Sequence, residues 1–259
     1  MNLKIVASII ALGFIAFAID YARPVQKIEE VIPIQAATGA TIPWGDLSAR
    51  LIETGVVDET KFPEIRNLKG QVIVTPENNR YVLNALWAFG LANKNPVLTE
   101  GPINNVKGGA ENLASTGGWT IAKGAPMSHF AMHEFVALTS AQQMLVENIS
   151  RNIFRPCCGN STYMPDCNHG MAMLGLLELM AASGANEDEM YDQALVMNRL
   201  WFPGQYERID EYFAEGYAGT DVPNTRTLLS AKYSSAQGMQ TVLSRIAPKP
   251  TTSGSGCGV

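Results

Sequence analysis

The chain has 259 residues, of which 46% are apolar and 17% are charged, so its composition is that of a globular protein and not of a disordered one. Its net charge of -5, without a cluster of Lys or Arg, argues against nucleic acid as a partner. The length is sufficient for one well-buried domain or two small ones.

The N-terminus has the pattern of an export signal. Lys4 precedes an uncharged, mostly apolar run over residues 5–19, shorter than the roughly 20 residues that a membrane-spanning helix prefers. Within it, residues 16–18 (Ala-Phe-Ala) have the small-x-small form of a cleavage site. We predict a signal peptide or membrane anchor over residues 1–22 and an exported domain on the periplasmic or cell-surface side, either secreted or anchored through this segment. A buried first helix of a soluble protein is the alternative.

The rest of the chain divides into three parts. Residues 23–43 contain three prolines and scattered charges and are predicted to be a linker. Residues 44–247 have helical patterns without an internal repeat, which predicts a mostly α fold: a single helical domain with long irregular loops. Residues 248–259 have the composition of a flexible tail, although they include Cys257. A cysteine there is expected to be tethered to the domain.

Capping signals and apolar spacing locate the helices of this domain. Thr75 is a cap before a proline, while Thr139 with Gln142 and Asn186 with Glu189 form capping boxes. The helix predicted over residues 76–92 is apolar nearly all round, which places it at the centre of the core. The predicted helices span residues 47–54, 76–92, 129–138, 140–154, 169–183, 187–202, 205–214 and 235–247.

Two stretches interrupt the helical pattern. Residues 71–74 are a short β-like run. Residues 93–126 are rich in Gly, Asn and Pro and are predicted to form a long loop. Loops of this length inside a compact domain are more often functional than idle.

Three of the four cysteines lie close together in the sequence. Cys157 and Cys158 are adjacent, and Cys167 stands just before a helix start predicted at the cap Asn168, with His169 following. The N–H groups of a first helical turn lower the pKa of a nearby thiol and favour the thiolate that binds metal. The spacing matches neither paired CxxC zinc knuckles nor the CxxCH haem attachment site. Soft donors of this kind suit copper, zinc or haem iron.

The other two histidines are further candidate ligands. His129 and His133 are four residues apart, which places both rings on one face of a helix. The acid follows the second histidine, so the pattern is not the HExxH of zinc proteases. If these histidines belong to the site, they must come within a few ångströms of His169 and the cysteine sulfurs.

Three hypotheses about function follow from these residues. The first is an extracytoplasmic, membrane-tethered protein that binds a metal or haem-like cofactor through its Cys and His residues, in a binding or redox role. The second is an exported module stapled by two disulfides that join Cys157 and Cys158 to Cys167 and Cys257, since an oxidising compartment favours disulfides. The third is an enzyme with Cys158 or Cys167 as nucleophile and a histidine as base. No known catalytic signature selects among them.

Overall fold

The computed structural model describes residues 40–246, and over this range the predicted mostly α class is confirmed. The strands are β1 (Thr41–Gly45) and β2 (Gly70–Ile73). The helices of the first half are α1 (Leu47–Glu53), α2 (Asn79–Ala92), α3 (Pro96–Thr99) and α4 (Ser140–Ser150). Those of the second half are α5 (Asn168–Ala182), α6 (Glu187–Trp201), α7 (Pro203–Ala214), α8 (Thr225–Leu229), α9 (Ala231–Ser234) and α10 (Ala236–Arg245).

Three predicted features lie outside the described residues. They are the signal peptide or anchor at 1–22, most of the linker at 23–43, and the tail at 248–259 with Cys257. Among residues 40–246, no helix is both long and apolar enough to cross a membrane. Export and anchoring therefore remain predictions from the sequence.

The two strands pair antiparallel, with Ile42 opposite Val72. The β-like run predicted at 71–74 is confirmed as β2, whereas β1 was missed. β1 buries Ile42 and Trp44 on one face, the alternation expected of a strand. β1 also contains Pro43, one of the three prolines from which residues 23–43 were predicted to be a linker. Both strands of a two-stranded sheet are edge strands, where proline is tolerated.

Helices α2 and α5 cross at close range in the centre of the core. A Cβ atom on Gly175 would stand 2.7 Å from the carbonyl oxygen of Leu86, and one on Gly90 would clash with the carbonyl oxygen of Met171. Only glycine allows the two backbones to approach this closely. Every residue of α2 from 85 to 92 is buried, which confirms the prediction that this helix occupies the core.

Both predicted capping boxes are present. The Thr139 hydroxyl accepts from the Gln142 N–H, and the Gln142 side chain accepts from the Thr139 N–H, so that α4 begins at Ser140. Asn186 and Glu189 make the same reciprocal pair before α6. Each box satisfies backbone donors that the first turn of a helix leaves without partners.

The start predicted for α2 is three residues too early. Residues 75–78 form a turn, because the side-chain oxygen of Asn78 accepts from the Thr75 N–H at 2.7 Å. The amide of Asn78 also donates to the Ile73 carbonyl at 2.8 Å. A local side-chain bond thus replaces the first helical turn and joins β2 to α2.

The helix predicted over residues 129–138 is wrong. The N–H groups of Ala131 and His133 donate to the carbonyl oxygens of Leu91 and Ala92, at 2.8 and 2.9 Å. Those carbonyls belong to the last turn of α2 and have no partner inside the helix. Residues 129–131 form a turn, in which the Met132 N–H donates to the His129 carbonyl at 3.2 Å. The chain does not continue as a helix, because the N–H groups of Ala131 and His133 cap α2.

Helices α7 to α10 form a second, smaller apolar cluster that includes Phe202, Tyr206 and Tyr233. The hydroxyl of Tyr206 lies 2.7 Å from that of Ser234 and accepts from the Asn198 amide at 3.1 Å. This buried network joins α6, α7 and α9. It therefore ties the C-terminal helices to the main body of the described chain.

Candidate metal centre

The three described cysteines lie on residues 151–167, the segment between α4 and α5, called here the cysteine loop. The C-terminal helices fasten this loop through its backbone. The Phe154 N–H donates to the Leu229 carbonyl, and the Ala236 N–H donates to the Cys158 carbonyl, both at 2.9 Å. The end of α8 and the start of α10 therefore set the position of the loop.

Three thiols converge at the start of α5. The Cys167 sulfur lies 3.7 Å from that of Cys158 and 3.9 Å from that of Cys157, and all three sulfurs are within 4.8 Å of one another. In a tetrahedral site with metal–sulfur bonds of about 2.3 Å, the sulfurs stand about 3.8 Å apart. The spacing therefore suits a single ion. Within residues 40–246, no other group of three His, Cys, Asp or Glu residues brings its ligand atoms within 4.8 Å of one another.

The cysteines are free, half-buried thiols. Their sulfur separations exceed the roughly 2.0 Å of a disulfide bond. No disulfide therefore joins any two of Cys157, Cys158 and Cys167. The predicted disulfide from Cys157 or Cys158 to Cys167 is therefore wrong. The other predicted disulfide involves Cys257, which lies outside the described residues.

A fully buried arginine, Arg155, faces the thiols. Its Nη2 donates to the Cys158 sulfur at 3.0 Å and to the Cys167 sulfur at 3.6 Å, and lies 3.4 Å from a carboxylate oxygen of Asp166. Its Nη1 donates to the Thr162 hydroxyl at 3.3 Å, while its Nε has no partner. A buried guanidinium requires compensating negative charge. Asp166 supplies one such charge, and the contacts of Nη2 to two sulfurs place the guanidinium where it also stabilises a thiolate.

Cys167 is the cysteine of the cluster whose surroundings most favour the thiolate. It caps α5, and its sulfur accepts from the Gly170 N–H at 3.4 Å. Hydrogen bonds from the thiols of Cys157 and Cys158 hold the pKa of Cys167 well below its usual range, and the charge of Arg155 and the Gly170 N–H add to this effect. Hydrogen bonds to Cys158 and Cys167, together with burial, raise the pKa of Cys157. The lowered pKa expected for Cys167 at a helix start agrees with this arrangement.

His169 lies next to the cluster in sequence but is not part of its metal-spaced group. Its Nδ1 is 3.0 Å from the side-chain oxygen of Asn168, and its ring packs against Phe202 at a centroid distance of 4.6 Å. Burial lowers the pKa of His169 to about 4, so the ring is neutral at pH 7. The cap predicted at Asn168 lies one residue earlier, at Cys167, and Asn168 is the first helical residue.

The upstream histidines pair with each other. Nδ1 of His129 lies 3.1 Å from Nε2 of His133, and Nε2 of His129 lies 3.0 Å from the Lys123 carbonyl oxygen. Burial, followed by the charge of His129, lowers the pKa of His133. The metal-spaced group of the described residues contains neither ring. The role of His129, His133 and His169 as ligands stays a prediction from the sequence.

Arg155 was not among the site residues predicted from the sequence. The available signal was its position, two residues before Cys157 inside the segment richest in thiols. Arginine is almost never fully buried unless it is paired. Its burial, however, depends on contacts that the sequence does not display.

Comparisons with protein-family models, with curated proteins and with solved structures found no match. The class of protein is therefore defined by geometry alone. Over the described residues it is a mostly helical fold in which three free thiols converge and two of them contact the guanidinium of a buried arginine.

Proposed function

We propose that the protein binds one divalent, thiophilic metal ion through Cys157, Cys158 and Cys167, on the outer side of a membrane. The observation that carries this proposal is the convergence of three free thiols to within 4.8 Å. Thiolates are the ligands that zinc and copper(I) prefer. Haem iron takes a single axial thiolate, so three convergent sulfurs favour a bare ion.

The charge of the site supports zinc over copper(I). Three thiolates and a divalent ion carry a net charge of minus one, which the buried guanidinium of Arg155 cancels. A monovalent ion would leave one negative charge without compensation. The Asp166 side chain is 22% exposed and accepts from the Asn160 amide at 2.7 Å, so water and Asn160 offset its charge.

The three sulfurs leave one position of a tetrahedral ion without a cysteine ligand from the described residues. Structural zinc sites use four protein ligands, whereas sites that bind or exchange small molecules keep one position open. Half-buried sulfurs agree with the second kind. We therefore favour a role in binding or transferring the ion over a purely structural one.

The proposed location depends on the N-terminal sequence. The apolar run over residues 5–19 supports export, either with cleavage or with retention as an anchor. If the N-terminal segment is retained as an anchor, the protein binds the membrane through it.

Metal content and titration test the proposal. Protein purified from its native host should contain one zinc ion per chain by elemental analysis. Metal-free protein titrated with Cd²⁺ should show a thiolate-to-cadmium charge-transfer band that saturates at one equivalent. Replacement of any one of Cys157, Cys158 or Cys167 by Ser should weaken Cd²⁺ binding, because one ligand is lost.

The matched control is the double variant His129→Asn, His133→Asn, whose Cd²⁺ affinity should equal that of the wild type. A thiol count separates the alternatives. Protein without bound metal and with all four cysteines in disulfides would overturn the proposal and support the disulfide-stapled module instead.

A further inference from the structure

Arg155 distinguishes one pair of thiols from the third. Its guanidinium donates to the sulfurs of Cys158 and Cys167. Cys157 contacts the Cys167 sulfur at 3.9 Å but makes no hydrogen bond with Arg155. The three thiols are therefore not equivalent, and Cys158 and Cys167 form a bridged pair.

We propose that in the metal-free protein this pair carries out thiol–disulfide exchange with an accessible disulfide, Cys167 attacking it and Cys158 resolving the mixed disulfide. The activity goes beyond metal binding and uses two of the same sulfurs. Bound metal and exchange therefore exclude each other.

The geometry supports the two roles. The Cys167 sulfur stands at the N-terminus of α5, where the Gly170 N–H and the guanidinium of Arg155 both face it. These donors stabilise negative charge on the attacking sulfur. The guanidinium of Arg155 is a second observation, independent of the helix end, because it is a fully buried cation whose Nη2 donates to both sulfurs.

Cys158 is placed to resolve the intermediate. Its sulfur lies 3.7 Å from that of Cys167, and a disulfide requires an approach to about 2.0 Å. The next residue, Gly159, is exposed, and a Cβ atom there would meet nothing within 4 Å. The loop at Cys158 therefore has room for this small movement.

The reaction balances as a two-electron exchange. The Cys167 thiolate attacks one sulfur of the substrate disulfide, the substrate S–S bond breaks, and one substrate thiolate leaves and takes up a proton. Cys158 then gives up its proton and attacks the Cys167 sulfur, and the second substrate thiolate leaves. The protein dithiol is oxidised to a Cys158–Cys167 disulfide, and the substrate disulfide is reduced to two thiols.

Oxidised glutathione is a suitable probe disulfide. Full-length protein is stripped of metal with a chelator, incubated with oxidised glutathione, quenched with acid and mapped by peptide mass spectrometry. The wild type should release two glutathione molecules per chain and contain a Cys158–Cys167 disulfide. Cys158→Ser should release only one and retain a glutathione adduct on Cys167.

Arg151→Met is the control and should behave like the wild type, because Arg151 is exposed and lies over the ring of Tyr163. Cys157→Ser should still form the Cys158–Cys167 disulfide, but more slowly, because Cys167 loses its hydrogen bond with the Cys157 thiol. Far-ultraviolet circular dichroism of each variant confirms that it is folded. A Cys157–Cys167 disulfide in the wild type, or an adduct on Cys157 in the Cys158→Ser variant, would overturn the assignment of the pair. No reaction with folded, metal-free protein would overturn the activity itself.

The test is independent of the proposed metal function. Exchange without any Cd²⁺ binding would remove the metal proposal and leave this one standing. If both are correct, one equivalent of Cd²⁺ should suppress glutathione release, because the ion occupies the Cys167 sulfur.

Discussion

At the scale of single residues, Arg155 connects the thiols to the fold. Its side chain is fully buried and contacts Cys158 and Cys167. A Cβ atom on Gly170 would stand 2.7 Å from its Nη2 and 3.2 Å from Cα of Pro165. The absence of a side chain at position 170 is therefore what leaves room for the guanidinium.

Replacing the guanidinium should weaken metal binding. Arg155→Met removes a charged hydrogen bond worth about 1.5–3 kcal/mol, so the Cd²⁺ dissociation constant should rise about 10- to 100-fold. The pKa of Cys167 should also rise, as measured by thiolate ultraviolet absorbance against pH. Arg151→Met is the control, because Arg151 lies over the ring of Tyr163 and is exposed. Equal affinities of the two variants would contradict this role of Arg155.

A methyl group at position 170 should destabilise the protein. Gly170→Ala must displace Arg155 or Pro165, and overpacking of this kind costs about 1–3 kcal/mol. Gly204→Ala, where a Cβ would meet nothing within 4 Å, should be neutral or slightly stabilising. Urea unfolding of both variants gives the comparison. A stable Gly170→Ala protein with unchanged Cd²⁺ affinity would show that the guanidinium has more room than the structure indicates.

At the scale of elements, one buried carboxyl joins α5, the end of α2 and the segment that follows residue 130. Glu178 is fully buried in α5, and one of its oxygens accepts from the amide of Asn93. The side-chain oxygen of Asn93 in turn accepts from the N–H groups of Phe135 and Val136, both at 3.0 Å. Burial raises the pKa of Glu178 well above its usual range, which favours the protonated carboxyl in the folded protein.

This protonated carboxyl should make stability depend on pH. In the unfolded chain Glu178 ionises at its ordinary pKa, so its stabilising contribution is complete below that pKa. The contribution is lost as the pH rises toward the folded pKa, by about 1.4 kcal/mol per pH unit. Glu178→Gln cannot ionise, so its stability relative to the wild type should increase from pH 5 to pH 8.

Urea unfolding at several pH values measures this difference. The control is Glu53→Gln, because Glu53 is exposed at the end of α1. A difference between Glu178→Gln and the wild type that stays constant with pH would show that Glu178 is ionised in the folded state.

At the scale of the whole described chain, the C-terminal helices support the metal centre from outside it. The backbone of α10 bonds to Cys158, and that of α8 bonds to Phe154. The buried network of Tyr206, Ser234 and Asn198 joins α7 and α9 to α6, and the Ser234 hydroxyl also donates to the Leu228 carbonyl of α8 at 2.6 Å. Loss of structure in the C-terminal helices should therefore change the positions of the three thiols.

Removing the centre of that network should cost stability. Burial raises the pKa of Tyr206 to about 12, so its hydroxyl is neutral and acts only through hydrogen bonds. Tyr206→Phe leaves Asn198 and Ser234 without this partner and should lower the free energy of unfolding by about 1–2 kcal/mol. Tyr217→Phe, at a side chain that is 45% exposed, should change it by less than about 0.5 kcal/mol. Equal effects of the two substitutions in thermal denaturation would contradict the importance of the network.

The sequence alone determined the features that depend on neighbouring residues. The capping boxes of α4 and α6 were predicted correctly, because each is a hydrogen-bonded pair three residues apart. The apolar surface of α2 placed it in the core for a similar reason, since helical periodicity is local. The same holds for the candidate site, whose three cysteines lie within one short segment that ends at the start of α5.

Only the tertiary structure decided what depends on distant partners. The segment after residue 130 has a helical pattern, but the free carbonyls at the end of α2 bind its N–H groups and keep it from forming a helix. The histidines four residues apart consequently face each other and are not in the group of converging thiols. The burial of Arg155 likewise requires the space left at Gly170 in α5. In each case the deciding contact joins residues that no local pattern relates, and the cost of leaving a buried polar group unpaired selects the observed arrangement.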